Sequence, residues 1–203
     1  MLRKLLFSIV LASLPLLTYA NTILILGDSL SAGYGIDVNK GWVALLKQRL
    51  NTEKPNYQVI NASTSGDTTQ NGLDKLPALL KKYHPEITII QLGGNDGLRG
   101  LSLTKMSENL STMIHLSKQQ HSKVLLIGVP MLPNYGPEFI TRFQQVFVNV
   151  AKKNNIAIIS NFVKKIDTHP ELIQSDGIHP NVKAQQQMLD NIWPSLRSLI
   201  DQT

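Results

Sequence analysis

The chain has 203 residues, with 42% hydrophobic and 17% charged residues and no cysteine. That composition belongs to an ordinary globular protein, and it excludes a disulfide framework, a thiolate metal centre and a cysteine nucleophile. The formal charge of +6, from 20 basic and 14 acidic residues, is spread in ones and twos, as at Lys81-Lys82 and Lys152-Lys153, so no basic stripe for nucleic acid is read from it.

Residues 1–20 read as an export signal. Arg3 and Lys4 precede an apolar run over 5–17, and Thr18-Tyr19-Ala20 supplies small residues before Asn21, the pattern of a cleaved signal peptide. The run is too short to span a bilayer, which needs about 20 apolar residues, and it contains Pro15. Cleavage after Ala20 is expected, leaving residues 21–203 as one domain without a stable membrane anchor.

Five short β-rich runs follow, at 22–26, 57–60, 86–91, 123–129 and 155–160. Between and after them, helical spacing is predicted over 42–50, 69–83, 103–120, 138–153 and 183–200, with Val43, Leu45, Leu46 and Leu50 showing the period. Apolar strands alternating with helices predict an α/β fold in which a mostly parallel five-stranded sheet is covered on both faces. In such sheets, ligands bind outside the carboxyl ends of the strands.

The segments after the first three strands are rich in polar chemistry: Gly27-Asp28-Ser29-Leu30-Ser31, the stretch from Asn61 to Thr69, and Gly93-Gly94-Asn95-Asp96. Asp176-Gly177-Ile178-His179-Pro180 stands near the C-terminus. Together they supply the parts of nucleophilic acyl transfer. Ser29, in a tight glycine-bearing turn, is the candidate nucleophile. His179 is the candidate base, and Asp176, three residues earlier, the carboxylate that orients its ring. The N–H groups of Ser29 and Gly66 and the amide of Asn95 are the candidate oxyanion donors. Asp28, Asp67 and Asp96 read as turn and cap groups, with Asp67 or Thr68 capping the helix that follows. His84, His115, His121 and His169 read as solvated surface groups.

These blocks resemble, in order, the four signatures of the SGNH (GDSL) hydrolases: GDSLS at 27–31, the glycine of NASTSGDTT at 61–69, the asparagine of GGNDGLRG at 93–100, and DGIHP at 176–180. GGNDGLRG with LPNYG at 132–136 is most similar to the periplasmic acyl-CoA thioesterase I / lysophospholipase L1 / arylesterase group. The resemblance implies a flavodoxin-like three-layer α/β/α sandwich and metal-free hydrolysis of esters and thioesters, with no cofactor. It also implies the same roles for Ser29, Gly66, Asn95, Asp176 and His179.

The loops at 97–103 and 130–139 are expected to flank the site. Leu98, Leu101 and Tyr135, with Met131, Leu132 and Phe139, are candidates for lining an acyl groove. The expected partners are therefore small acyl esters or thioesters, met by a monomer in the periplasm or outside the cell. A carbohydrate O-deacetylase of the same family is the alternative enzyme. A silent lipid- or glycan-binding module is the alternative from another class.

Overall fold

The computed structural model describes residues 21–202; the signal-peptide reading of residues 1–20 lies outside them. Five strands form one sheet: β1 (Asn21–Gly27), β2 (Tyr57–Asn61), β3 (Ile87–Gln91), β4 (Lys123–Ile127) and β5 (Ala157–Ile159). All pairings are parallel, in the order β2-β1-β3-β4-β5, which is the flavodoxin-like order.

Parallel neighbours need long crossovers, and here each is helical. The longer helices are α2 (Trp42–Glu53), α3 (Thr69–Tyr83), α5 (Leu103–Gln119), α6 (Pro137–Asn154) and α7 (Gln185–Asp201). The crossover from β1 to β2 runs one way along the sheet and the later ones run the other. Right-handed connections therefore place α2 on one face and α3, α5 and α6 on the opposite face. The packing agrees, since α2 lies against α7 while α3 packs on α5 and α5 on α6.

Burial explains why the strands read as apolar runs. Ile23 to Leu26 of β1 and Ile89 and Ile90 of β3 are wholly inaccessible, as central parallel strands covered on both faces must be. Helix α3 shows the local logic of the crossovers. The Thr68 hydroxyl accepts from the Asn71 N–H, and the Asn71 side chain accepts from the Thr68 N–H, a reciprocal cap. Its buried positions Thr69, Gly72, Leu76 and Leu80 then form one stripe toward the sheet.

Some predicted boundaries move for identifiable reasons. The fourth strand stops at Ile127, so Val129 lies beyond it. The fifth begins at Ala157 because Asn155, at φ 48°, is the left-handed cap of α6. Helix α7 starts at Gln185, since 182–184 form a 3₁₀ turn capped by Asn181. Two short helices were not expected from the sequence: α1 (Ser29–Ala32) and α4 (Gly94–Leu98). Both start at the carboxyl edge of the sheet, on either side of the point where the strand order reverses.

Candidate active site

Ser29 is the first residue of α1. Asp28 precedes it in extended conformation and caps the helix, its Oδ1 accepting from the Leu30 N–H at 3.1 Å. Gly33, at φ 79°, ends the helix after one turn. The first N–H groups of a helix lie outside its own ladder, so the N–H of Ser29 is open to an acceptor beside its hydroxyl.

Asp176 and His179 sit on a tight loop closed by a bridge between Ile173 and Pro180 and by a 2.7 Å bond from the Gln174 N–H to the His179 carbonyl. Asp176 Oδ1 accepts from the N–H groups of Ile178 and His179 at 2.9 and 3.0 Å. Its Oδ2 lies 2.6 Å from His179 Nδ1, and His179 Nε2 lies 2.8 Å from Ser29 Oγ. A carboxylate only accepts, so the ring proton belongs on Nδ1, which leaves Nε2 to accept from the serine hydroxyl. The Tyr34 ring stands beside the imidazole, 4.6 Å between centroids.

The electrostatics separate the two aspartates of this region. Partial desolvation acts to raise the Asp176 carboxyl, but the two N–H bonds and the adjacent imidazole outweigh it and hold the group at about 2. Asp28 goes the other way. Burial pushes its carboxyl up to about 6, against the lowering effect of the Gln91 amide, the Leu30 N–H and the His179 charge.

The oxyanion candidates converge from β2 and β3. Asn95, in α4, donates from Nδ2 to the Asp67 carbonyl at 3.0 Å. Arg99 donates to the Gly66 carbonyl at 2.8 Å. Lys75 pairs with the Asp67 carboxylate and donates to the Thr64 hydroxyl at 3.0 Å. The loop carrying Gly66 (φ 85°) is thus held from three sides. Thr68, not Asp67, caps α3. Asp96 ties α4 to α3 instead, accepting from the Thr69 N–H at 2.8 Å and its hydroxyl at 2.6 Å.

A cleft of about 490 Å³ opens over these groups, lined by Ser29, Gly66, Asn95 and His179 at one end. Leu98, Met131 and Leu132 stand on its walls as the sequence suggests. Leu101 does not line it and is 44% exposed. Tyr135 and Phe139 are likewise absent from the walls: Tyr135 donates to the Leu98 carbonyl at 2.7 Å, and its ring packs on Phe139. Tyr135 therefore supports a wall residue from behind. Sequence reasoning missed Tyr34, Val163, Ile173 and Ile178, and the polar pair Asp167-Thr168, all on the lining. For the polar pair Asp167-Thr168 the available signal was position, since 163–168 follow β5 at the same sheet edge. His84, His115, His121 and His169 are exposed and contribute nothing to the cleft.

Comparison with known proteins places this geometry in context. The model of the GDSL-like lipase/acylhydrolase family matches residues 25–187. The chain is 45% identical to the esterase TesA of Pseudomonas aeruginosa, over 98% of this chain and 100% of that protein. It is 38% identical to the thioesterase 1/protease 1/lysophospholipase L1 of Escherichia coli K12, over 93% of this chain and 91% of that one. A crystal structure of TesA superposes with a TM-score of 0.86 at 44% identity, covering 88% of this chain and 99% of that one.

Proposed function

The chain belongs to the GDSL-like lipase/acylhydrolase family and is a carboxylic ester hydrolase, and we propose that it cleaves acyl esters and thioesters through a covalent acyl-enzyme on Ser29. The observation that carries the reading is the continuous hydrogen-bonded line from Asp176 through His179 to Ser29, ending in an apolar cleft. His179 Nε2 takes the hydroxyl proton as Ser29 Oγ attacks the carbonyl carbon. Asp176 stabilises the imidazolium without itself becoming protonated.

The tetrahedral oxyanion is met by the N–H groups of Ser29 and Gly66 and the Asn95 amide. One Asn95 N–H is committed to the Asp67 carbonyl, which fixes the amide and leaves the second for the oxyanion. Losing such a donor costs about 10²–10³ in turnover. The imidazolium then protonates the leaving alcohol or thiol. A water that gives its proton to Nε2 attacks the acyl-enzyme, and collapse of the second tetrahedral intermediate frees the acid and restores the Ser29 hydroxyl.

The apolar walls formed by Leu98, Met131 and Leu132 support medium or long acyl chains, in lipid-derived, thioester or aryl substrates, over acetyl groups on sugars. Lysophospholipids and acyl thioesters are the substrate classes this reading names. We further infer export after removal of residues 1–20 and action as a monomer, because one chain carries the whole constellation. Among the described residues no helix is long and apolar enough to cross a membrane.

The test is hydrolysis of p-nitrophenyl esters from acetyl to palmitoyl by residues 21–203 and by the Ser29→Ala variant. Turnover of the longer esters that disappears in Ser29→Ala is expected. Turnover confined to acetyl would favour the deacetylase, and turnover unchanged in Ser29→Ala would refute the acyl-enzyme.

A further inference from the structure

Behind the Ser29 turn lies a buried relay that the acyl-transfer steps do not use. Gln91, the last residue of β3, is wholly inaccessible, and the strand register sets it beside Gly27. Its Nε2 donates to Asp28 Oδ1 at 2.9 Å, and its Oε1 accepts from the Ser31 hydroxyl at 2.6 Å. Asp28 and Ser31 are themselves buried. An ionised carboxylate can only accept, so the amide nitrogen must face Asp28, and the amide oxygen is left for the hydroxyl of Ser31. Asp28 and Ser31 bracket Ser29 and Leu30 in the chain. A single amide therefore grips the turn on both sides of the Ser29 hydroxyl.

Gly27 carries the imprint of the same amide. A Cβ at that position would stand 2.8 Å from Gln91 Oε1 and 2.8 Å from Ser31 Oγ. Gly27 is not among the glycines with positive φ, so the close approach of the relay, not backbone conformation, demands a residue without a side chain. Asn61 and the Trp42 indole hold the carbonyls of Ser31 and Leu30 at 2.9 and 3.2 Å. Gln91 alone among the described residues bonds the side chains of both Asp28 and Ser31.

We propose that Gln91 is a positioning residue for the Ser29 hydroxyl, fixing its turn through Asp28 on one side and Ser31 on the other. The proposal rests on the reading of Ser29 as the nucleophile. Without the amide, the buried Ser31 hydroxyl would lose its partner and the buried Asp28 carboxylate would keep only the Leu30 N–H, and the turn would shift to reach water. Displacements of about 1 Å at a nucleophile lower turnover far more than binding.

Gln91→Glu is the discriminating variant, because it keeps the side-chain size and the acceptor for Ser31 while setting a second carboxyl against Asp28. Two buried carboxyls in contact keep one proton between them, and its loss at higher pH drives them apart. The charged groups that act on Asp28 are His179 and Asp67, and both are unchanged in the variant. Relative to the unmodified protein, kcat of Gln91→Glu for p-nitrophenyl butyrate is expected to fall about tenfold at about pH 8 and to recover toward about pH 6, with KM within about twofold. Ser31→Ala is expected to lower kcat about fivefold with an unaltered pH profile, and to lower the melting temperature by only a few degrees, the cost of one unsatisfied buried acceptor.

Wild-type kcat in both variants would overturn the proposal. So would a reduced kcat in Gln91→Glu that keeps the wild-type pH profile, since that reports only a loosened fold. If Gln91→Glu does not fold, Ser31→Ala decides: a lower kcat with the variant still fully folded at the assay temperature supports the proposal, and an unchanged kcat overturns it. Ser29→Ala, assayed alongside, separates the two readings, because activity retained there contradicts the nucleophile itself whatever the Gln91 variants do.

Discussion

His179 Nε2 lies 2.8 Å from Ser29 Oγ although 150 positions separate the two residues in the chain. The first stands on a loop just before α7 and the second opens α1, so the contact exists only because both loops reach the carboxyl edge of one parallel sheet. Asp176 sets the ring for it through the 2.6 Å bond to Nδ1. In Asp176→Asn, the amide oxygen can still accept from the N–H groups of Ile178 and His179, but its NH₂ would face Nδ1 and favour the tautomer with the proton on Nε2. That tautomer cannot accept the serine proton. We expect kcat to fall about 10³–10⁴-fold with KM and melting temperature nearly unchanged, checked by steady-state kinetics and thermal unfolding.

Asp28 gives the stability of the protein a specific pH dependence. Its carboxyl is raised from 3.8 to about 6, so between these values the folded state holds a proton that the unfolded chain has lost. Stability from this group is fully present below about pH 4 and is lost as pH rises through about 6. At about 1.4 kcal/mol per pH unit, the loss is about 3 kcal/mol. Asp28→Asn removes the titration while keeping an oxygen for Gln91 and Leu30. Urea unfolding over this pH range should show a flatter profile for Asp28→Asn, and equal slopes in the two proteins would contradict the assignment.

Acyl-chain preference follows from where the cleft ends. Ser29 follows β1 and Asp167 follows β5, three strand positions apart in the sheet order, or roughly 14 Å at the usual strand spacing. The walls between are apolar, but Asp167 and Thr168 make the far end polar. Octanoyl and decanoyl esters should therefore exceed both acetyl and palmitoyl in kcat/KM. Asp167→Leu should raise the palmitoyl-to-octanoyl ratio, and an unchanged ratio would show that the chain does not reach the β5 loop.

Gly93 couples stability to the proposed oxyanion site. It sits at φ 117°, and an added Cβ would lie 2.6 Å from Met106 Cε and 2.9 Å from Phe147 Cζ, in the residue that caps α4 and leads to Asn95. Gly93→Ala is expected to cost about 2–4 kcal/mol in urea unfolding from strain and overpacking and to lower kcat. Gly100→Ala is the control, at φ 63° with open space around it. It should lose only about 1 kcal/mol and leave kcat intact.

The parallel sheet and the residues of the candidate site were legible because their signals are local. Apolar runs mark strands covered on both faces, and Ser29, Gly66, Asn95 and His179 each sit in a short block just after a strand or beside a turn. The relay through Gln91 was not legible, since it joins residues 60 and 63 positions apart and a lone glutamine at a strand end carries no pattern. Helices α1 and α4 escaped because four and five residues are too few to show a helical period. The cleft walls were only half readable. Apolar loop residues pack and line alike, so Leu98 and Tyr135 look equivalent in sequence, yet one faces the cleft while the other holds its carbonyl from behind. Val163 and Ile173 were hidden for the same reason.

Covalent labelling of Ser29 is the most direct test of the proposed acyl-enzyme. Residues 21–203 treated with diethyl p-nitrophenyl phosphate should lose activity in step with release of one equivalent of p-nitrophenol, and the mass increment should map to the peptide containing Ser29. His179→Ala should slow the labelling, and Ser29→Ala should abolish it. Labelling that maps to another residue, or inactivation without a covalent adduct on Ser29, would contradict the acyl-enzyme mechanism.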